Sequence, residues 1–237
     1  MLNPKKYALL CISLVTVVLI SAMGLSRLGH SMAVWQAEDP SIPIFVIDAG
    51  HGGEDGGTTD ATGRKESEIN LAIALRLRDL MHLLGAKTLM IRQTDVSVDT
   101  QGATIAARKV SDIRNRVRIT DETPNSRLIS IHQNHYPEEK YRGSQVFYSP
   151  VTGSRQWAES LQKILTTQVD PKNHRESKSA GEVYLLQHTH CPAILVECGF
   201  LSNREEAALL QEPSYQKKIA AAIACCAITQ PEDVNEI

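Results

Sequence analysis

Short, continuously apolar runs alternate along the chain with longer segments whose apolar residues recur every three or four positions. The runs are rich in β-branched residues and predict buried strands, whereas the longer segments predict amphipathic helices. In residues 69–84, for example, the charged Arg78 and Asp79 lie opposite the apolar positions. The predicted strands are 44–47, 88–91, 128–131, 144–148, 182–186 and 193–196, and the predicted helices are 69–84, 105–119, 157–169, 204–210 and 215–228.

Strands and helices that alternate in this way predict an α/β fold. We expect a single domain, built on a mostly parallel central sheet of about six strands with helices on both faces. In such sheets, ligands and catalytic groups collect at the carboxyl ends of the strands. The residues that directly follow each predicted strand are therefore where chemistry is expected.

The beginning of the chain departs from this alternation. Residues 7–26 carry no charged side chain and directly follow Lys5 and Lys6, a pattern typical of a signal peptide or of one membrane anchor. We therefore divide the chain into a signal peptide or membrane anchor (1–25), a connector (26–42), a folded domain (43–230) and a polar tail (231–237). The positive-inside rule then predicts that the domain is exported and lies outside the cytoplasm.

Charge and cysteine content narrow the classes of function. The 237 residues include 25 basic and 27 acidic ones, for a formal net charge of −2. Nucleic-acid binding requires a basic surface, so nucleic acid is not an expected partner. The basic residues of the predicted helix 105–119, including Arg116, are expected to form a solvated face. Five cysteines, of which Cys11 lies in the apolar segment, are too few for a disulfide scaffold.

Three of the predicted strands end in side chains that can perform chemistry. Asp48 and His51 follow the first strand, His132 follows the third, and Glu197 follows the last. Two histidines from separate strands with a carboxylate nearby fit a catalytic zinc site, which has three protein ligands and an open position for water. The glycines that flank His51 permit a tight turn and a close approach of substrate to the backbone.

The third zinc ligand is expected to be a carboxylate from another element. Glu66 is the best candidate, because it lies fifteen residues after His51 at the start of the first predicted helix. Glu68 is its rival, and Glu54 and Asp55 are weaker candidates. Spacing alone does not decide between Glu66 and Glu68.

Four motifs resemble those of the type 3 N-acetylmuramoyl-L-alanine amidases, a family of zinc-dependent cell-wall amidases. They are residues 46–53, 66–71, 130–134 and 196–203, and they occur in the family's order within residues 44–228. The resemblance implies one zinc ion per chain with His51, Glu66 and His132 as ligands, and so favours Glu66 over Glu68. It also implies that Glu197 is the catalytic residue.

The activity implied by this resemblance is a zinc-dependent hydrolysis of peptidoglycan. A water activated by zinc would cleave the amide bond between N-acetylmuramic acid and L-alanine, and Glu197 would move the proton from water to the leaving nitrogen. From proximity in sequence, we expect Asp48 to orient His51 through a hydrogen bond and Asn134 to contact substrate. The alternatives are another zinc-dependent peptidoglycan hydrolase, either a peptidase or a deacetylase, and a non-catalytic wall-binding protein.

Within the family, the chain looks most like the sporulation-associated, germination-specific branch. It is short, it has a single N-terminal apolar segment, and it shows no wall-binding repeat. The interval between His132 and Glu197 is also too short for the long inhibitory helix of some septal members. This likeness implies action on glycan strands with stem peptides around the forespore, in spore-cortex modification by muramic lactam formation and in germination. Whether a protein partner activates the enzyme is left open.

Overall fold

A six-stranded sheet forms the centre of the fold. The computed structural model describes residues 41–99 and 101–230. The predicted signal peptide or anchor, nearly all of the connector and the polar tail lie outside these residues. The strands are β1 (Ile44–Ala49), β2 (Lys87–Met90), β3 (Ser126–Asn134), β4 (Gln145–Tyr148), β5 (Lys178–Ser179) and β6 (Ala193–Phe200).

The strands lie in the order β2-β1-β3-β6-β4-β5. All neighbouring pairs are parallel except β4 and β6, which are antiparallel. In the central pairs, Ala49 lies beside Ile131, and His132 lies beside Glu197. The carboxyl ends of β1, β3 and β6 therefore meet at one edge of the sheet, and the prediction of a mostly parallel α/β sheet is confirmed.

The described part of the chain contains six α-helices. They are α1 (Glu66–Leu83), α2 (Ile105–Glu122), α3 (Ser154–Ile164), α4 (Tyr184–His188), α5 (Arg204–Gln211) and α6 (Pro213–Ile228), and α3 continues into a π-helical turn at Leu165–Val169. Each predicted helix is confirmed to within a few residues. None of the helices in the described part of the chain is both long and apolar enough to cross a membrane.

One predicted strand, 182–186, is wrong. This segment forms the loop before α4 and the first turn of that helix, and the fifth strand is instead the short β5. Short apolar runs do not distinguish a buried strand from a buried helix. Here Leu185 and Leu186 bury their side chains in one turn of helix, against the face of the sheet that carries Val46 and Leu128.

Helices cover both faces of the sheet. Phe45 and Ile47 of β1 belong to a large apolar cluster with residues of α1, α3 and α6. Val46, between them, points to the opposite face and belongs to a smaller cluster beneath α2 and α4. Residues 42–230 form one compact unit around these two layers.

Candidate active site

His51, Glu66 and His132 converge at the edge of the sheet where β1 and β3 end. One nitrogen or oxygen atom from each of them lies within 4.8 Å of the other two. Glu66 Oε1 is 3.0 Å from His132 Nδ1 and 3.3 Å from His51 Nε2. Glu68 points elsewhere and pairs with Arg64, with 3.1 Å between Oε2 and Nε. The structure thus brings together the three residues that the sequence singled out.

The turn after β1 owes its shape to left-handed backbone conformations. His51 itself has a φ of 60°, and Gly52 and Gly53 also have positive φ. Gly50 is required for a different reason, since a Cβ atom there would overlap the ring of His132. Gly57 is likewise constrained, because a Cβ atom there would overlap the carboxylate of Glu66. The glycines of this segment therefore let the backbone pack directly against the converging side chains.

Glu66 is buried at the first turn of α1 and is held by several donors. Its carboxylate accepts hydrogen bonds from the backbone N–H groups of Gln133 and Thr58, both at 3.1 Å, and from the Asn70 side chain at 3.3 Å. Burial would raise the pKa of Glu66, but the hydrogen bonds with His132 and His51 outweigh it and lower the pKa far below the ordinary value. The group therefore remains an anionic carboxylate.

The hydrogen-bond partner of the His51 ring is Asp55. Asp55 Oδ2 lies 2.9 Å from His51 Nδ1, and Oδ1 lies 2.8 Å from Lys109 Nζ. Burial alone would lower the pKa of His51, but its contacts with Glu66 and Asp55 raise it to about 9. When Nδ1 donates to Asp55, Nε2 is the nitrogen that can give up its proton and bind a metal. Sequence reasoning ranked Asp55 only as a weak ligand candidate and missed this role.

The predicted hydrogen bond from Asp48 to His51 is wrong. The carboxylate of Asp48 is fully buried and accepts hydrogen bonds from Arg116 and, at 2.6 Å, from Ser130 Oγ. Arg116 in turn donates to the carbonyls of Ala49 at 3.0 Å and His51 at 2.9 Å. Asp48 therefore acts on His51 through Arg116 and the backbone. Arg116 is only 2% exposed, so its expected place on a solvated face is also wrong.

A second buried arginine, Arg92, reinforces the same turn. It follows β2 and donates to the carbonyls of Ala49 at 2.7 Å and Gly50 at 3.0 Å. It also reaches the carbonyl of Ser67 at 2.8 Å, in the first turn of α1. Arg92 thus connects the turn that carries His51 with the helix start that carries Glu66. Its position directly after a predicted strand was the available signal, and sequence reasoning did not use it.

Glu197 lies in β6, in register with His132 on the neighbouring strand. Its Oε2 atom is buried and has no hydrogen-bond partner among the described residues. Burial, reinforced by the negative charge of Glu66, raises the pKa of Glu197 to about 7. A carboxyl group with such a pKa can both accept and release a proton near neutral pH.

Asn134 lies at the end of β3, where its backbone carbonyl accepts a hydrogen bond of 2.8 Å from Leu201 N–H. Its expected contact with substrate stays a prediction.

The three converging side chains form a suitable donor set for a catalytic metal ion. Two imidazole nitrogens and one carboxylate oxygen are a typical set for catalytic zinc, which keeps a fourth position open. The buried oxygen of Glu197 adds an acceptor without a partner next to this group. The residues present therefore fit a zinc ion with a proton acceptor beside it.

Comparison with known proteins agrees with this geometry. Residues 45–229 match the sequence model of the family described as N-acetylmuramoyl-L-alanine amidase. The chain belongs to the N-acetylmuramoyl-L-alanine amidase family. Members of this family are typically metal-dependent, and the His51–Glu66–His132 group is a place where such a metal could bind. The family resemblance, the fold and the enzyme class inferred from the sequence are thus confirmed.

Individual amidases show how far this likeness extends. The germination-specific N-acetylmuramoyl-L-alanine amidase of Bacillus subtilis (strain 168) is 36% identical over 184 residues, which cover 76% of each chain. The amidase LytC of the same organism is 28% identical over 192 residues, which cover 79% of this chain and 36% of LytC. Among solved structures, one similar structure is that of the CwlD amidase from Clostridioides difficile in complex with the GerS lipoprotein. It matches this chain with a TM-score of 0.75 and 35% sequence identity, and the match covers 78% of this chain and 96% of the CwlD chain.

Proposed function

We propose that this amidase is a zinc enzyme in which His51, Glu66 and His132 hold the metal and Glu197 transfers the proton. The observation that carries the proposal is the buried, unpartnered oxygen of Glu197, in register with His132 and beside the converging donors. The bond cleaved is the amide between N-acetylmuramic acid and L-alanine of peptidoglycan, the reaction for which the family is named.

Each residue has a distinct part in this hydrolysis. When bound, zinc supplies Lewis acidity, which polarises a carbonyl group and makes water more acidic. Glu197 accepts a proton from the water whose oxygen attacks the amide carbon. The carbon–nitrogen bond then breaks, and Glu197 delivers the same proton to the departing nitrogen of L-alanine. Asp55 keeps the proton of His51 on Nδ1, and Asn134 contacts the substrate.

The spore is the proposed setting for this activity. The relative with 36% identity is named as germination-specific, and the similar CwlD structure is a complex with a lipoprotein. By this likeness, the chain acts on glycan strands with stem peptides, in muramic lactam formation in the spore cortex and in germination. A protein partner that assists metal loading or activity belongs to the same proposal.

The proposed location is outside the cytoplasm, in the space around the forespore. Relatives that are cell-wall amidases support a wall-associated place for the domain. The division into a signal peptide or membrane anchor (1–25), connector (26–42), amidase domain (43–230) and polar tail (231–237) also remains a proposal, because most of these boundaries lie outside the described residues.

Digestion of purified peptidoglycan tests this proposal. The full chain, loaded with zinc, is incubated with spore-cortex and with vegetative peptidoglycan, and the products are read by mass spectrometry. We expect stem peptides that begin with free L-alanine and glycan strands that remain intact. Release of shorter peptides, with L-alanine still on muramic acid, would instead identify a peptidase. Loss of acetyl groups alone would identify a deacetylase.

A further inference from the structure

Two tyrosines form an exposed aromatic pair on the loop after β3. Tyr136 is 48% exposed and Tyr141 is 36% exposed. Their ring centroids lie 4.7 Å apart with an interplanar angle of 75°, and the Lys140 amine lies 5.3 Å from the centroid of the Tyr141 ring. Such an edge-to-face pair leaves broad aromatic surface open to solvent, and exposed apolar surface with polar neighbours is typical of a binding site.

This pair is connected to the catalytic edge of the sheet. The pairing of β3 with β6 at His132 continues outward through the hydrogen bond from Leu201 N–H to the Asn134 carbonyl, 2.8 Å long. Beyond it, Tyr136 N–H donates to Ser202 Oγ at 3.1 Å. Tyr136 is four residues after His132, which places the two Cα atoms at most about 14 Å apart. The aromatic pair therefore lies within a few sugar rings of the proposed zinc ligand.

Residues 135–143, the tyrosine loop, are fixed to the segment that follows Glu197. The Asn203 side chain donates to the Glu139 carbonyl at 2.7 Å, and Arg204 pairs with the Glu139 carboxylate at 3.4 Å. At the end of the loop, Gly143 N–H donates to the buried carboxylate of Glu206, which also accepts a hydrogen bond of 3.0 Å from Phe200 N–H. Because the loop is already held in place, little conformational entropy would be lost when a ligand binds.

We propose that Tyr136 and Tyr141 form a binding subsite for the glycan strand of the substrate, beside the muramic acid whose amide is cleaved. Sugar rings have an apolar C–H face that packs on aromatic rings, while phenol hydroxyls can hydrogen-bond to sugar hydroxyl and acetamide groups. The inference rests on the proposed function for the identity of the polymer. Its consequence is that the enzyme favours long glycan strands over a muramyl peptide that has only one sugar.

Kinetics on two substrates test this subsite. The full, zinc-loaded chain and its Tyr136→Ala and Tyr141→Ala variants are assayed on glycan strands that carry stem peptides and on a one-sugar muramyl peptide. On the strands we expect kcat/KM to fall about tenfold in each variant, through a higher KM. On the one-sugar substrate we expect no change. Tyr136→Phe keeps the aromatic ring, so its KM on the strands should stay close to that of the wild type.

A matched control is available in α4. Tyr184 is 39% exposed and stacks on His188 with 3.7 Å between ring centroids, so it is also an exposed tyrosine in a ring pair. Tyr184→Ala should behave as the wild type on both substrates. Equal losses on both substrates in the Tyr136 and Tyr141 variants, or the same loss in Tyr184→Ala, would overturn the assignment of a glycan subsite.

Direct binding separates this inference from the proposed reaction. Glycan strands from which the peptides have been removed contain no cleavable amide, and their affinity is measured by calorimetry. We expect binding to the wild type to weaken about tenfold in Tyr136→Ala and Tyr141→Ala. If wild-type and variant proteins bind these strands equally, the subsite is wrong. This conclusion holds even if the variants no longer bind a protein partner. If binding falls but the wild type cleaves no peptidoglycan, the reaction is wrong and the subsite stands.

Discussion

His132 and Glu197 lie opposite each other on the adjacent parallel strands β3 and β6. The pairing places Glu197, whose buried Oε2 atom lacks a hydrogen-bond partner among the described residues, beside a histidine that contacts Glu66. A sheet register is fixed by the burial of whole strands, because a slip of one residue would move every side chain to the opposite face. The relation between the proposed proton carrier and the proposed metal ligand is therefore built into the core of the protein.

Replacement of Glu197 by glutamine should separate metal binding from catalysis. The Glu197→Gln change keeps the size of the side chain but removes its ability to accept the proton, so we expect hydrolysis of peptidoglycan to fall by about 10²-fold to 10⁴-fold. The zinc content, measured by elemental analysis, should stay at one ion per chain. A purified variant with wild-type activity would disprove the role of Glu197.

Removal of a proposed ligand should abolish zinc binding. His132→Ala takes away one of three donors, and we expect the purified protein to contain almost no zinc by elemental analysis. His190→Ala is the control, because His190 is exposed and pairs with Asp121 at 2.8 Å. That variant should retain its zinc. Full zinc content in the His132 variant would show that the ligand set is wrong.

Loss of the Asp55 carboxylate should weaken metal binding without removing a ligand. Asp55→Asn no longer fixes the charge and orientation of the His51 ring, and we expect zinc affinity to fall about 10-fold to 100-fold. Competition with a chromophoric chelator measures this change. The adjacent Glu54, which pairs with Arg108 near the surface, provides the control Glu54→Gln. Equal affinity of the Asp55 and Glu54 variants would contradict the positioning role.

Arg116→Met should destabilise the fold strongly. It leaves the fully buried Asp48 without its cation and removes donors from the carbonyls of Ala49 and His51. Breaking a buried pair in this way costs about 3–5 kcal/mol of unfolding free energy, which urea denaturation can measure. Arg78→Met is the control, because the pair of Arg78 with Asp79 is near the surface, and it should change stability by less than about 1 kcal/mol. A similar loss in both variants would refute this account.

The buried pair of Asp48 and Arg116 should make the stability of the fold depend on pH. Burial would raise the pKa of Asp48, but Arg116 and Ser130 lower it below the ordinary value. The stabilisation is therefore present above the pKa of about 4 of an unfolded aspartate, and it is lost as the pH falls through the lower folded value. In Arg116→Met, protonated Asp48 no longer needs a cation. Burial without Arg116 raises the pKa of Asp48, so the variant gains stability as the pH falls toward about 4, and below that pH the wild type loses stability. We therefore expect the difference in unfolding free energy between wild type and variant to shrink as the pH falls from neutral into the acid range, as measured by denaturation at several pH values. A difference that is constant with pH would contradict this.

The sequence was sufficient for the framework of the site but not for its supporting contacts. His51, Glu66, His132 and Glu197 were found because ionisable residues interrupt apolar runs or open a helix, and this pattern is local. Asp55 was missed as a partner because its contact with His51 depends on the left-handed turn.

Arg116 was misread for a related reason. Helical spacing groups side chains on one face but does not say whether that face meets solvent or the end of another strand. Segment 182–186 was misread as a strand because a short apolar run satisfies either secondary structure. Long-range packing, which a single sequence does not reveal, decided the cases of Arg116 and of segment 182–186.

The backbone carbonyls of Ala49, Gly50 and His51 are all occupied by guanidinium donors from Arg92 and Arg116. The shape of this turn is consequently secured by the polypeptide itself and does not depend on a metal ion to organise it. The proposed zinc ion would therefore meet a turn whose carbonyl groups are already hydrogen-bonded within the fold.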